Sequence, residues 1–228
     1  MPRAKRTYED GCAAAHGLNL LGERWALLVV RELMLGPKRF GDLRRSLPGI
    51  SANVLTQRLE ELEASRVLQR ARLPPPASVQ VYELTEWGYE LEPIFVVLGR
   101  WAARSPSMPD GLPISVSSVV LSMTAMFDGS LAAGFRAVLD LRLDAERFRV
   151  RVADGRLTAE RGEADAPDVT LETDPGTLAR LLYDGEAVEV AAAAGAARVS
   201  GDLATLRRFL GLFPLPEPVQ CRDPGPTG

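Results

Sequence analysis

Asn53, Thr56, Gln57 and Arg58 fall within ISANVLTQRLEELE and carry side chains suited to reading base-pair edges. Asn and Gln amides can pair bidentately with adenine, and a guanidinium with guanine or a phosphate. Leu55, Leu59 and Leu62 recur at i, i+4 and i+7 and form the inward face of one helix. The same geometry leaves Asn53, Thr56 and Gln57 outward, with Arg58 on the flank. Ser51 stands where a hydroxyl can accept from the free N–H groups of the first helical turn. Upstream, Lys38, Arg39, Arg44 and Arg45 offer cations for phosphates, a contribution that salt weakens. Downstream, Arg70 and Arg72 alternate along an extended segment. A plain solvated helix face fits the polar residues equally well, and Arg39 has Asp42 and Glu32 nearby as alternative partners.

These side chains need a frame. Trp25–Leu35 is a strongly apolar helix ended by Gly36-Pro37, and Phe40–Leu47 is a short one stopped at Pro48-Gly49. With the helix after Ser51 they make a strut, a turn and a second helix with a polar outer face, the layout of a DNA-reading head. Val67–Arg72 and Val79–Leu84 then alternate and are joined by LPPPAS, which predicts a hairpin, or wing. The prolines either stiffen the tip or shield an edge strand. Thr85 is placed to cap a long helix from Glu86 to about Ala103. Its Trp87, Leu91, Ile94, Phe95, Leu98 and Trp101 are too apolar for a lone exposed helix. Together with a first helix over Cys12–Leu21, it is expected to form the seam of a homodimer.

Residues 12–101 resemble the HxlR family of bacterial winged-helix regulators, relatives of the MarR group. The resemblance rests on Cys12 ahead of LNLLGERWALLVVRELMLGPKRFGDLRRSLPGISANVLTQRLEELEASRVLQR, followed by VYELTEWGYEL. It implies a dimeric transcription regulator that reads a pseudo-palindromic operator in double-stranded DNA, with half-sites about one helical turn apart. It also implies a basic pair at Lys38 and Arg39. Cys12 sits where some members carry a redox- or electrophile-sensing thiol. Such a thiol needs a lowered pKa and some exposure. Arg3, Lys5 and Arg6 could supply the first, Glu9 and Asp10 oppose them, and a small residue packing a helix start is the alternative.

The second half follows a different logic. Val116, Val119, Val120, Met123 and Phe127 form one stripe of a helix beginning near Ser115. Leu139, Leu141 and Leu143, then Phe148, Val150 and Val152, alternate with charged residues up to an Asp154-Gly155 turn. Strand pattern returns at Leu157 and Ala159 and again at Val169 and Leu171. Helices follow from Asp174-Pro175 and from Asp202. The fold class expected for the chain is therefore α+β, a winged helix-turn-helix domain followed by an antiparallel sheet with helices on one side. DVTLETDPGTLARLLYDG and VSGDLATLRRFLGLFP resemble the sterol-carrier-protein type-2 domain over about Pro113 to Pro214. That resemblance implies a tunnel for a small hydrophobic ligand, with Met123, Met126, Phe127, Leu178, Leu182, Phe209 and Phe213 as wall residues. The same side chains would serve as a filled core.

Composition bounds the remaining choices. Residues 1–104 hold 15 Lys/Arg against 12 Asp/Glu, and residues 105–228 hold 12 against 18. A mildly basic front on an acidic back suits a polyanion at the front only. The two cysteines, Cys12 and Cys221, make no disulfide framework, and a reducing cytoplasm is expected. No apolar run approaches the roughly 20 residues of a membrane span, and the start resembles no secretory signal. One histidine, His16, excludes a Ser/His/Asp set, and neither a phosphate-binding glycine loop nor a metal-ligand spacing occurs, so no enzyme activity, cofactor or metal is expected. The domains are expected at 1–104 and 114–214, joined by a Pro/Gly-rich linker at 105–113 and ending in an extended tail at 215–228. Two alternatives stand beside the ligand-modulated regulator. One is a regulator that senses through Cys12 and has a purely structural second half. The other is a lipid carrier without DNA function.

Overall fold

The computed structural model describes residues 7–109 and 111–220. Arg3, Lys5, Arg6, Cys221 and the end of the expected tail lie outside the described residues. The chain divides into two compact units, Met1–Glu92 and Pro93–Gly228.

The first unit runs α1 (Ala13–Leu21), α2 (Ala26–Leu33), α3 (Phe40–Ser46), α4 (Ala52–Ala64), β1 (Leu68–Arg72), β2 (Gln80–Leu84) and α5 (Glu86–Tyr89). Its core is the inward set that the periodicity dictates. Val29, Val30, Leu33, Leu43, Leu47, Leu55, Leu59, Leu62, Leu68 and Val81 are all buried, each contributing about 1.5–3 kcal/mol of transfer free energy. Ser51 caps α4, its hydroxyl accepting from Val54 N at 3.3 Å. β1 and β2 pair antiparallel with Leu68 opposite Leu84 and Arg72 opposite Gln80. A third, one-residue rung joins them, because Lys38 N donates to Tyr82 O (3.0 Å) and Tyr82 N to Lys38 O (2.8 Å). The wing is thereby pinned to the α2–α3 connection. At the foot of the wing, Thr85 caps α5 and donates its hydroxyl hydrogen bond to Arg66 O at 2.8 Å. Gly88 sits so close to Val67 O that a Cβ there would collide with the carbonyl.

The expected long helix from Glu86 is two helices, α5 and α6 (Glu92–Ala102). Pro93 accounts for the break: it has no N–H for the Tyr89 carbonyl, and its ring would clash with that carbonyl in a continuous helix. The compact units part at Glu92/Pro93, ahead of the 105–113 segment, because polar ties hold α6 to the second unit. Arg100 Nη1 donates to Ala125 O (3.2 Å), Arg104 Nε to Glu217 O (3.1 Å), and Val219 N to Arg104 O (2.9 Å).

The second unit continues with α7 (Val116–Met126), β3 (Ala137–Leu143), β4 (Glu146–Ala153), β5 (Arg156–Arg161), β6 (Val169–Thr173), α8 (Pro175–Tyr183), α9 (Val188–Ala193), β7 (Ala197–Gly201) and α10 (Leu203–Leu210). The sheet order is β5-β4-β3-β6-β7. It is mixed, not antiparallel as expected, since β3 and β6 run parallel with Leu139 beside Val169. The cause is the crossing. The chain leaves β5 at one edge, passes β4 and β3 through residues 162–168, and is pinned on the far side by Asp168. That residue's N donates to Val138 O (2.8 Å), and its carboxylate accepts from Val138 N (2.7 Å). Leu139, Leu141, Leu143, Phe148, Val150, Val152, Val169 and Leu171 make the buried face. Asp174 caps α8, accepting from Thr177 N at 2.9 Å, and Asp202 caps α10, accepting from Ala204 N at 2.9 Å.

Candidate nucleic-acid interface

α4 presents the surface its sequence predicts. Ser51, Asn53, Thr56 and Gln57 are exposed on one side, while Leu55, Leu59 and Leu62 are buried on the other. Gln57 Nε2 donates to Glu61 Oε1 at 2.9 Å, one helical turn on, which holds the amide in register along the helix. Arg44 and Arg45 are exposed on α3, and Arg45 pairs with Asp42 at 3.2 Å. Arg39, just ahead of α3, is exposed. Its two alternative partners are engaged elsewhere, Asp42 by Arg45 and Glu32 by Arg31 (2.9 Å) and Lys38 (2.8 Å). On the wing, Arg70 is exposed, pairs with Glu63 at 3.1 Å and lies over the Tyr82 ring at 5.8 Å. Arg72 is also exposed, and its Nε donates to Ser78 O at 3.1 Å, tying the strand to the hairpin tip.

Two of the expected DNA contacts are corrected. Lys38 is only 5% exposed, and its ammonium is committed to the fully buried Glu32 carboxylate. Desolvating a carboxylate is tolerable only with charges arranged around it, so the basic pair reduces to Arg39 alone. Arg58 is 7% exposed. Its guanidinium bonds Glu61 and reaches Glu23 at 3.5 Å, and its buried Nε has no hydrogen-bond partner among the described residues. It braces α4 against the segment ahead of α2 and is not available on the outer flank.

Glu61 and Tyr82 also build the site. Glu61 holds both Gln57 and Arg58, at the i+4 and i+3 spacings that helical geometry makes legible. Tyr82 supplies the rung to Lys38 and the ring beneath Arg70, and neither role has a sequence signal.

Cys12 is exposed and occupies the N-cap position of α1. The backbone N–H groups of Ala15 and Ala14 hold its thiol below the usual cysteine range, as an unsatisfied helix N-terminus does. Asp10 accepts from the Cys12 backbone N at 2.9 Å.

In the second unit, Met123, Met126, Leu178, Leu182, Phe209 and Phe213 are buried and Phe127 is half-buried. The rings form a chain, with Phe209 and Phe213 edge-to-face at 5.0 Å and Phe127 and Phe213 at 5.9 Å. Ser122 and Tyr183 share a hydrogen bond of 2.7 Å between α7 and α8. Burial pushes the Tyr183 phenol up to about 12. Among the described residues, no group of three or more His, Cys, Asp or Glu side chains is placed to hold a metal ion. No helix among them is long and apolar enough to cross a membrane.

Comparison with known proteins divides the chain in the same order. Residues 20–108 match the HxlR-like helix-turn-helix profile, and residues 105–219 match the alkyl sulfatase C-terminal profile. The HTH-type transcriptional regulator YodB of Bacillus subtilis is 40% identical over 84 residues, 37% of this chain and 75% of YodB. The HTH-type regulator YvaP of the same organism is 36% identical over 95 residues, 41% of this chain and 88% of YvaP. The solved reduced form of B. subtilis YodB aligns at 35% identity and TM-score 0.39, covering 44% of this chain and all of that one.

Proposed function

The chain belongs to the HxlR-like helix-turn-helix transcription regulators through its first half and to the alkyl sulfatase C-terminal family through its second, and from this pairing we propose a homodimeric regulator that binds operator DNA and is modulated through its second unit. The observation that carries the DNA-binding proposal is the exposed row Ser51, Asn53, Thr56 and Gln57 on a capped helix whose opposite face is core. That helix enters the major groove, with Arg39, Arg44 and Arg45 on phosphates and Arg70 and Arg72 of the wing on the flanking backbone. The dimer proposal is supported by α1 and α6, neither of which buries a single residue within the chain. Val97 and Trp101 on α6 are 68% and 72% exposed, an apolar face that a second copy would cover. Two-fold pairing of the α4 helices makes the operator pseudo-palindromic.

Selection of a duplex from a random pool by the full chain, with the selected site titrated against scrambled DNA at several salt concentrations, tests the proposal. A palindromic site bound at least about 10³-fold more tightly than scrambled DNA is expected. Equal affinity for both would remove sequence recognition from the chain.

For the second unit we propose a sterol-carrier-like role. A small apolar molecule would lodge among Met123, Met126, Phe127, Leu178, Leu182, Phe209 and Phe213, where methionine and phenylalanine side chains adapt their packing. The Ser122–Tyr183 pair would supply a polar handle at the rim. Native mass spectrometry of gently purified protein should show a dimer carrying an extra mass that is lost on denaturation. A bare dimer would leave this cluster a filled core. Cys12 supports a second input, electrophile or oxidant sensing, because its thiol is both exposed and held at lowered pKa.

A further inference from the structure

Six consecutive residues after α10 have little conformational freedom. Pro214, Pro216 and Pro218 alternate with Leu215 and Glu217, so each residue from Phe213 to Pro218 is a proline or precedes one. Proline fixes its own φ, and its ring excludes the helical region for the residue before it. Such a segment behaves as a short rod, extended by about 3.1 Å per residue, rather than as a hinge.

Both ends of the rod are fastened. At one end Phe213 is 2% exposed between Phe209 and Phe127, and the adjacent Leu212 accepts from Asp128 N at 2.9 Å. At the other end Glu217 O accepts from Arg104 Nε and Val219 N donates to Arg104 O. Arg104 closes the C-terminal end of α6. Pro216 and Glu217 of the segment form one wall of a groove of about 420 Å³ whose other lining residues are Arg100, Trp101 and Arg104. A loose tail would not need three prolines between two anchors. A transmitting element would, because slack absorbs displacement.

We infer that residues 213–219 form a strap that transmits rearrangement of the Phe127/Phe209/Phe213 cluster to the C-terminal end of α6 and so sets the stability of the α6 seam. This rests on the proposal that α6 is the seam between two copies. A molecule that displaces the Phe213 ring moves the strap, and the strap moves Arg104. The second unit then regulates dimerisation through α6. A second tie, Arg100 Nη1 to Ala125 O, runs in parallel from α7 to α6 and is the competing route that a test must separate.

Amide hydrogen exchange across residues 99–105 of the full chain reads the coupling directly. Phe213→Leu loosens the ring cluster. It should speed exchange there roughly fivefold or more on the native strap, and less than about twofold when Pro214, Pro216 and Pro218 are all glycine. Equal acceleration on both straps would assign the coupling to the Arg100 route and overturn the inference, as would no acceleration on either. Should Phe213→Leu unfold the unit, Phe127→Leu disturbs the same cluster from a half-buried position. Val219→Pro removes the terminal donor and should raise the dimer dissociation constant roughly fivefold, measured by sedimentation. A chain that is monomeric at every concentration, yet whose α6 exchange still depends on the strap, sinks the seam and keeps the strap as a link. A dimer whose constant and α6 exchange both ignore Val219→Pro sinks the strap and keeps the seam.

Discussion

Glu32 and Lys38 form a buried ion pair, Oε2 to Nζ at 2.8 Å, and the Lys38 backbone forms the rung that holds the wing strand at Tyr82. Lys38 therefore shares with Arg31 the neutralisation of a fully buried carboxylate through its side chain and positions the β1–β2 hairpin with its main chain. The pair ties the fold of the recognition head to the placement of its wing.

Breaking a buried pair from one side leaves an uncompensated charge, which costs about 3–5 kcal/mol. Because Arg31 stays on the Glu32 carboxylate at 2.9 Å, Lys38→Met should destabilise the first unit by less than that full amount in denaturant unfolding. Glu32→Gln should also destabilise, since it leaves the buried Lys38 ammonium facing a neutral amide. The double variant Glu32→Leu/Lys38→Met should recover a large share of the loss. Under conditions where the variant remains folded, Lys38→Met should leave the salt dependence of DNA binding unchanged. A smaller slope would return Lys38 to the phosphate backbone.

Gln57 and Arg58 are adjacent, and their substitutions are expected to fail differently. Gln57→Ala should lose about 1–3 kcal/mol against the selected operator and almost nothing against scrambled DNA. Arg58→Ala should lower the melting temperature and weaken binding to both sequences in proportion to the unfolded fraction. Equal loss on both DNAs for Gln57→Ala would take it out of base readout.

On the wing, Arg72→Ala should weaken every sequence alike and reduce the slope of log K against log salt by about 0.9, one phosphate contact. An unchanged slope would leave Arg72 as a brace of the hairpin tip through Ser78 O.

The Cys12 thiol, held below the ordinary range by the Ala15 and Ala14 N–H groups, should be a thiolate at lower pH than a free cysteine, whose pKa is about 8.5. Its alkylation rate, followed by peptide mass spectrometry, should rise to its plateau at lower pH than for the same peptide in urea. Coincident profiles would remove the helix terminus as the cause. Because the thiolate is the stabilised form, the contribution is present above the unfolded pKa and is lost as pH falls through the folded one.

At the proposed seam, Val97→Asp should convert a dimer to a monomer by sedimentation while far-UV circular dichroism stays unchanged. A persistent dimer would move the interface off α6.

What could be read from the sequence follows the range of the interactions. α4 and its cap were legible because Ser51, Leu55, Leu59 and Leu62 signal over one or two helical turns. The wing was legible because alternation and a proline-rich turn are local. Burial of Lys38 and Arg58 was not, since a charged residue enters the core only beside partners, and Glu32 and Glu23 become partners only once the helices pack. The parallel pairing of β3 with β6 was equally hidden, because Val169 and Leu171 alternate identically whichever neighbour they meet. α9 and β7 lie in small-residue sequence, VEVAAAAGAARVSG, with too few apolar positions to declare a period. Pro93 signals the break locally, but the apolar residues on both sides keep a helical period that runs across it.

The two outer strands of the sheet have a consequence for the chain's behaviour at high concentration. β5 carries Arg156, Glu160 and Arg161 along the free edge, and β7 is only five residues long and ends at Gly201 with φ of 99°. A Cβ at Gly201 would collide with Asp168 O, so this turn admits almost no other residue. Neither rim offers a long apolar ladder on which another strand could grow. Charge and brevity are the ordinary means by which an open sheet avoids templating fibrils. An exposed apolar face on α6 is thus compatible with a sheet whose rims resist aggregation.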